Sequence, residues 1–477
     1  MNTIDASLDR PATTIQRLAL RFASHRNLYA VLKSAAQVFA IRLTGAGLTY
    51  ASMIFLARRL GAFDFGIYAY VFVIVGLLGL ALSFGFGSSG LRFVPDYLAR
   101  QKWRRLTGFL TQSYGIVLSL STLGALLGAG LVFAFRSTID PHYFAPLLVG
   151  LSCVPVWALL NQFESTARAF GWMHLAYIPG YILRPLLLMS FVGGLVLFGG
   201  TPDAVGALWA MVAACAIAGL VQGLFVYAGI RRRVTRVTAA FHTRHWCATS
   251  LSFLMIDGFR MLLDNSDVLM IGRLLDPHSI AVYYAAIRTG GLVAFVSFSM
   301  IALAVPKFAE IHITGTRQEM QKFVSGVIQL MFWPSLLTAI ALALLGPLVL
   351  SLFGADFAMG YPTMLVVLTG LVLRSATGPV EYLLNMTGHH RDTMVVYALA
   401  AVANVGLDLL LIPAFGIIGA AIATYTAMLS ANLCLYLLVQ KRLGVNAFIF
   451  PLTGKTENPV RAAGPDQSAS SSLRSAT

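Results

Sequence analysis

Five arginines stand inside otherwise apolar stretches of this sequence: Arg42, Arg184, Arg260, Arg288 and Arg374. Four aspartates, Asp257, Asp264, Asp267 and Asp408, lie at comparable depth, and Glu381 lies nearer the end of its stretch. An ionisable group in an apolar helix is expensive unless it finds a partner, a hydrated cavity or a ligand. Asp257, Arg260, Asp264 and Asp267 fall at i, i+3, i+7 and i+10, which is salt-bridge spacing along one helix face. Arg288 and Arg374 have no acid three or four residues away. A guanidinium without a carboxylate beside it suits an anion, because its planar fork meets two phosphate oxygens at once. Arg184 precedes Pro185 in a stretch that also holds Pro179, so it sits at a break in its helix. Around Arg42, the residues Ser34, Gln37, Gly45, Thr49 and Ser52 fall within one arc of about 140° at helical pitch, a polar wall. The five arginines are therefore the candidates for a cationic, substrate-binding cavity. Asp257, Asp264, Asp267, Glu381 and Asp408 are the candidates for coupling to a proton or sodium ion.

The remaining chemistry-bearing residues are less informative. His242, His245 and Cys247 have ligand-like spacing, but they lie in a basic loop and read as no metal site. Cys153, Cys215, Cys247 and Cys434 form no CxxC pair, so neither a zinc ribbon nor a disulfide framework is indicated. Gly85-Phe86-Gly87 lacks the lysine and the strand of a phosphate loop. Trp103, Trp157, Trp172 and Trp246 near stretch ends read as interface anchors. No cofactor is implied.

The elements that carry these groups follow from composition. The chain has 477 residues, 58% hydrophobic and only 11% charged, against about 25% charged in soluble domains. That excludes a water-soluble enzyme and a disordered chain alike. Apolar runs at 35–57, 66–87, 109–135, 144–163, 177–199, 204–229, 249–271, 280–305, 323–346, 361–384, 394–412 and 417–439 read as twelve membrane helices. With the N-terminus inside, 25 lysines and arginines fall in inner loops and tails and only four in outer loops. The positive-inside rule then places both termini in the cytoplasm. It also accounts for the +15 formal charge without nucleic acid.

Domain organisation is expected as a cytoplasmic amphipathic segment (1–34), an N-lobe (35–229), a basic inter-lobe loop (230–248), a C-lobe (249–439) and a largely disordered tail (440–477). Ile15, Leu18 and Phe22 against Arg17 and Arg21 suggest that the first segment lies on anionic phospholipids of the inner leaflet. The two lobes read as copies. Arg58-Arg59-Leu60-Gly61 pairs with Arg273-Leu274-Leu275-Asp276 at an offset of 215, and Val94-Pro95-Asp96-Tyr97 with Val305-Pro306-Lys307-Phe308. Ala204-Val205-Gly206-Ala207 pairs with Ile417-Ile418-Gly419-Ala420. Six spans per copy make the repeat parallel, an arrangement transporters use to expose one site to each side in turn. The fold class expected is an all-α polytopic membrane protein, two six-helix lobes related by a pseudo-twofold.

Three segments carry a resemblance. The run 404–424 (NVGLDLLLIPAFGIIGAAIAT), the run Asp267-Val268-Leu269-Met270-Ile271-Gly272 with Tyr283, and Arg59–Tyr68 resemble the signatures of polysaccharide flippases. These belong to the multidrug, oligosaccharidyl-lipid and polysaccharide exporter superfamily, and the resemblance runs from about residue 30 to 442. It implies a transporter rather than an enzyme, working by alternating access in a bacterial inner membrane. The implied substrate is an undecaprenyl-diphosphate-linked glycan for polysaccharide export. Two other functions are weighed. A drug or metabolite exporter of the same fold needs a carboxylate-lined site, whereas the first span carries Arg42 and no acid. A polymerase or ligase needs a long outer loop, and every outer loop here is short.

Overall fold

The computed structural model describes residues 14–234, 237–295, 301, 304, 307–308, 310–312 and 315–449, with side chains from Gln37 onward. Every regular element among them is helical. The N-terminal half comprises α1 (Thr14–Leu82), α2 (Phe86–Ala99), α3 (Trp103–Ala134), α4 (Pro141–Ala169), α5 (Met173–Ile178), α6 (Arg184–Leu197) and α7 (Ala204–Arg233). The C-terminal half comprises α8 (Thr243–Leu274), α9 (Pro277–Gly290), α10 (Arg317–Ser351), α11 (Tyr361–Ser375), α12 (Val380–Met386) and α13 (His390–Leu443).

Nine helices among the described residues are long and apolar enough to cross a membrane. Two of them are double. α1 turns at Gly61 (φ 78°) and α13 at Gly416 (φ 59°), in backbone conformations that a Cβ disfavours, so each holds two successive spans. The span expected at 280–305 begins in α9, and part of it lies outside the described residues. The protein is thus a multi-pass helical membrane protein with the twelve-span, two-lobe arrangement. The repeat is visible in the breaks. Gly61 corresponds to Asp276, where α8 gives way to α9, and Gly416 corresponds to Asp203, where α6 gives way to α7.

Helix starts are fixed locally. Asp140, Asp203 and Asp276 each accept a hydrogen bond from a backbone N–H of the helix they precede, and Thr316 with Glu319 forms a reciprocal capping box. Leucines such as Leu127, Leu344, Leu399 and Leu410 project outward around the bundle, as a lipid-facing surface requires. α1 runs unbroken from Thr14 to Gly61, so the expected amphipathic segment is continuous with the first span. At the other terminus, residues 444–449 fold back on the second lobe. Asn446 N–H donates to Gln321 Oε1 (2.6 Å), Gln321 Nε2 donates to the Asn446 carbonyl (2.8 Å), and Ile449 N–H donates to the Ala376 carbonyl (2.9 Å). Of the tail expected to be largely disordered (440–477), residues up to Ile449 are helical or folded back, and the rest fall outside the described residues.

The halves meet tightly at the end that carries Gly61 and Asp276. Arg58 of α1 donates from Nε to the Leu352 carbonyl (2.5 Å) and from Nη2 to the Ser351 carbonyl (3.1 Å), at the C-terminal end of α10. Tyr50 OH pairs with Thr289 Oγ1 (2.8 Å), and the Phe65 ring packs edge-on against Tyr284 and Phe357. Away from that end, a cavity opens between the halves.

Candidate functional site

The cavity has a volume of about 740 Å³ and is walled by α1 beyond Gly61, α4, α8, α9 and the α11–α12 junction. Helix breaks frame it: the turn at Gly85 between α1 and α2, and Gly378-Pro379 between α11 and α12. Irregular backbone is tolerated at membrane depth where it borders a hydrated space.

Seven of the ten residues singled out from the sequence come together here: Asp257, Arg260, Asp264, Asp267, Arg288, Arg374 and Glu381. Arg260 reaches Asp264 of its own helix (3.9 Å) and, across to α12, Glu381 (3.5 Å). Glu381 also accepts a hydrogen bond from Tyr397 OH (2.7 Å). Asp257 accepts from Ser88 Oγ of the opposite lobe (2.6 Å). Asp267 accepts from Tyr283 OH, from Thr424 Oγ1 (3.3 Å) and from the Val268 N–H (2.7 Å). All four cavity carboxylates are therefore engaged.

Two of the three cavity guanidiniums are not. No carboxylate lies within ion-pair distance of Arg288 or Arg374 among the described residues. Arg288 sits over the Tyr284 ring at 4.7 Å, and its Nε is buried with no hydrogen-bond partner. Among the described residues, the Arg374 side chain donates only to the Met428 sulfur, at 3.3 Å. Cation–π contact offsets part of the desolvation cost of a guanidinium and leaves its N–H fork free.

Arg42, Arg184 and Asp408 do not line the cavity. The polar arc of the first span faces another helix of its own lobe. Arg42 stands 5.5 Å over the Tyr177 ring and Gly45 packs on Tyr181, while Thr49 and Ser52 border a small 40 Å³ pocket with Arg184. Arg184, at the end of a π-helical turn (Pro179–Leu183), lies 4.7 Å over the Trp157 ring.

Asp408 is fully buried, one helical turn beyond Asn404, and neither of its carboxylate oxygens has a partner among the described residues. Asn404 donates to Ser266 Oγ (2.8 Å) and Thr424 Oγ1 (3.4 Å), and its own Oδ1 is likewise without a partner. Through Thr424 this cluster adjoins Asp267. The groups here, two carboxylates, an amide oxygen and a hydroxyl, are all oxygen donors, the kind that suit a hard cation or a proton. No group of three or more His, Cys, Asp or Glu that could hold a metal occurs among the described residues.

Two tryptophans depart from their expected interface role. Trp246 is wholly buried and donates from Nε1 to Tyr97 OH (2.9 Å). Trp157 lines the cavity, beside Asn161, Gln162 and Ser165 of the same helix. The signal for this wall was the recurrence of polar groups at i, i+4 and i+8 on an apolar helix.

Known structures share this two-lobed helical fold. An inward-facing multidrug resistance transporter of the MATE family, in the MOP superfamily, superposes with a TM-score of 0.70 at 15% identity, covering 85% of this chain and 98% of that one. The lipid II flippase MurJ, inward closed, gives 0.66 at 15% identity, covering 85% and 87%. A probable low-salt glycan biosynthesis flippase of Haloferax volcanii, Agl15, is 22% identical over 411 residues, 82% of this chain and 80% of that protein. Residues 31–312, more than half of the chain, match the polysaccharide biosynthesis protein family, and the chain belongs to that family.

The cavity geometry predicts a labelling pattern. With the four native cysteines replaced by alanine, Asn161→Cys and Asp264→Cys react with a small charged thiol reagent, while Asp408→Cys stays unlabelled in the folded protein. Equal labelling of Asp408→Cys contradicts the placement of that carboxylate.

Proposed function

We propose that the protein is a flippase for a lipid-diphosphate-linked oligosaccharide, the lipid being undecaprenol, in a bacterial inner membrane. The observation that carries this reading is the pair Arg288 and Arg374, two guanidiniums in a cavity between lobes with no carboxylate within ion-pair distance among the described residues. A diphosphate supplies the oxygens that such forks bind bidentately. Membership of a polysaccharide biosynthesis family and the printed roles of Agl15 and MurJ support the same substrate class.

The four cavity carboxylates favour the rival reading, an exporter of organic cations. Their pairing decides against it. Asp257 and Asp267 are hydrogen-bonded, and Asp264 and Glu381 share Arg260, so the acids are engaged and the two arginines are not.

With the basic loops and both termini in the cytoplasm, the sealed end of the lobes faces outward and the cavity faces inward. Transport is then alternating access: the headgroup enters from the cytoplasmic side, and the lobes rock until the Arg58, Tyr50 and Phe65 contacts part. The Asp267–Asp408 cluster, in the lobe that holds the phosphate-binding arginines, is the place for a coupling proton or sodium ion. The basic inner face fits anionic phospholipids.

Two experiments test this. In a flippase-deficient host, with glycan export normalised to inserted protein, Arg288→Ala and Arg374→Ala reduce export at least about tenfold, and lysine at either position restores only part. Arg42→Ala, which lies outside the cavity, keeps most activity. Wild-type export from both cavity variants contradicts the anion site. Separately, transport into vesicles under an imposed proton or sodium gradient loses its gradient dependence in Asp267→Asn and Asp408→Asn, but not in Asp203→Asn, a helix cap outside the spans. Unchanged gradient dependence in the first two removes the cluster from coupling.

A further inference from the structure

The two walls of the cavity differ in kind. Among the described residues, every ionisable acidic or basic side chain that lines it comes from the second lobe, whereas the first lobe contributes only neutral groups. On α4, Trp157, Asn161 and Ser165 recur every fourth residue and drift by about 40° per step, so they form one stripe, with Gln162 at its edge. The side chains of Trp157, Asn161 and Gln162 hydrogen-bond to no other described residue, and Gln162 Oε1 is buried in a residue 2% exposed. The lobe's other deeply buried glutamine is used structurally: Gln222 Nε2 donates to the Leu175 (2.9 Å) and Ala176 (3.3 Å) carbonyls beside the π-helical turn.

Trp157 is held from behind. Phe72 meets it edge to face at 5.4 Å, and Arg184 stacks on the indole at 4.7 Å while bordering only the small pocket, so the indole stands between Arg184 and the large cavity. An aromatic ring beside two unpartnered amides and a hydroxyl is complementary to a pyranose. The C–H face of the sugar packs on the ring, and vicinal hydroxyls exchange hydrogen bonds with amide N–H and C=O groups.

We propose that the α4 stripe is the glycan subsite, and that it sets sugar specificity while the opposite wall binds the phosphates. The inference rests on the flippase reading above and adds to it an orientation for the headgroup: diphosphate on the second lobe, first sugars on the first lobe. A neutral wall that is merely hydrated is the competing outcome.

The test uses the full-length protein in lipid nanodiscs. Its ligands are undecaprenyl diphosphate and a panel of undecaprenyl diphosphates carrying glucose, galactose, N-acetylglucosamine or N-acetylgalactosamine. The wild type binds at least one sugar-bearing lipid about tenfold tighter than the bare lipid. In Asn161→Leu and Gln162→Leu that increment falls below about twofold, while the bare lipid binds as before, which also reports that the variants are folded. Should a leucine variant lose bare-lipid binding through misfolding, Asn161→Ala is read in its place. A wild type that binds every sugar-bearing lipid no better than the bare one overturns the subsite, and so do variants that keep the increment. A wild type that does not bind the bare lipid, or bare-lipid affinity unchanged by Arg288→Ala and Arg374→Ala, overturns the flippase reading itself.

Discussion

A guanidinium carried into a bilayer must be answered by something, and the way this chain answers its five organises the rest of the structure. Arg42 and Arg184 are answered by aromatic rings of their own lobe, Tyr177 and Trp157. Arg260 is answered by carboxylates of α8 and α12. Arg288 and Arg374 are left with Tyr284 and a methionine sulfur, and they face a cavity. Polar groups inside a membrane protein that lack partners on the chain mark the substrate pathway. In the proposed function, the negative phosphates of the substrate answer the positive charge that the fold leaves open.

The same asymmetry divides the labour between lobes. A duplicated chain starts from two equivalent walls, yet among the described residues only the second lobe keeps acidic and basic groups in the cavity, along with the buried Asp267–Asp408 cluster behind it. The first lobe offers uncharged hydrogen-bonding groups and aromatic rings. At the sealed end the lobes are joined by a hydroxyl pair, by arginine to helix-end carbonyls and by ring contacts, with no carboxylate–guanidinium bridge in the seam among the described residues. Contacts of this kind are individually modest, about 1 kcal/mol each, as the proposed alternating access requires of a seam that must part.

Much of this was legible in the residues. Hydropathy and loop charge give the spans, constant-offset matches give the repeat, and the glycine and aspartate breaks fall where the repeat places them. The absence of an acid at i±3 or i±4 picked out Arg288 and Arg374, because that rule governs pairing within a helix, and for these two no other helix among the described residues supplies a carboxylate. The same rule could not find Glu381 for Arg260, a pair made across helices. For the first span, helical periodicity gave the polar face correctly but not its neighbour: Arg42, Gly45, Thr49 and Ser52 share an arc, and that arc meets α5 and α6 rather than the cavity. Trp157 was misread as an anchor because tryptophan is common at interfaces, and only its register with Asn161 and Ser165 distinguishes it. Trp246 was misread likewise, since its partner Tyr97 is distant in sequence.

The central claim is that the headgroup lies across the cavity with its phosphates on Arg288 and Arg374. An electron cryo-microscopy map of the protein with undecaprenyl-diphosphate-linked glycan bound tests it most directly. The account predicts diphosphate density within hydrogen-bond distance of both guanidiniums, with the glycan running toward α4 and the lipid tail leaving between the lobes. Diphosphate density on the Arg42 and Arg184 side, or outside the inter-lobe cavity altogether, would contradict it.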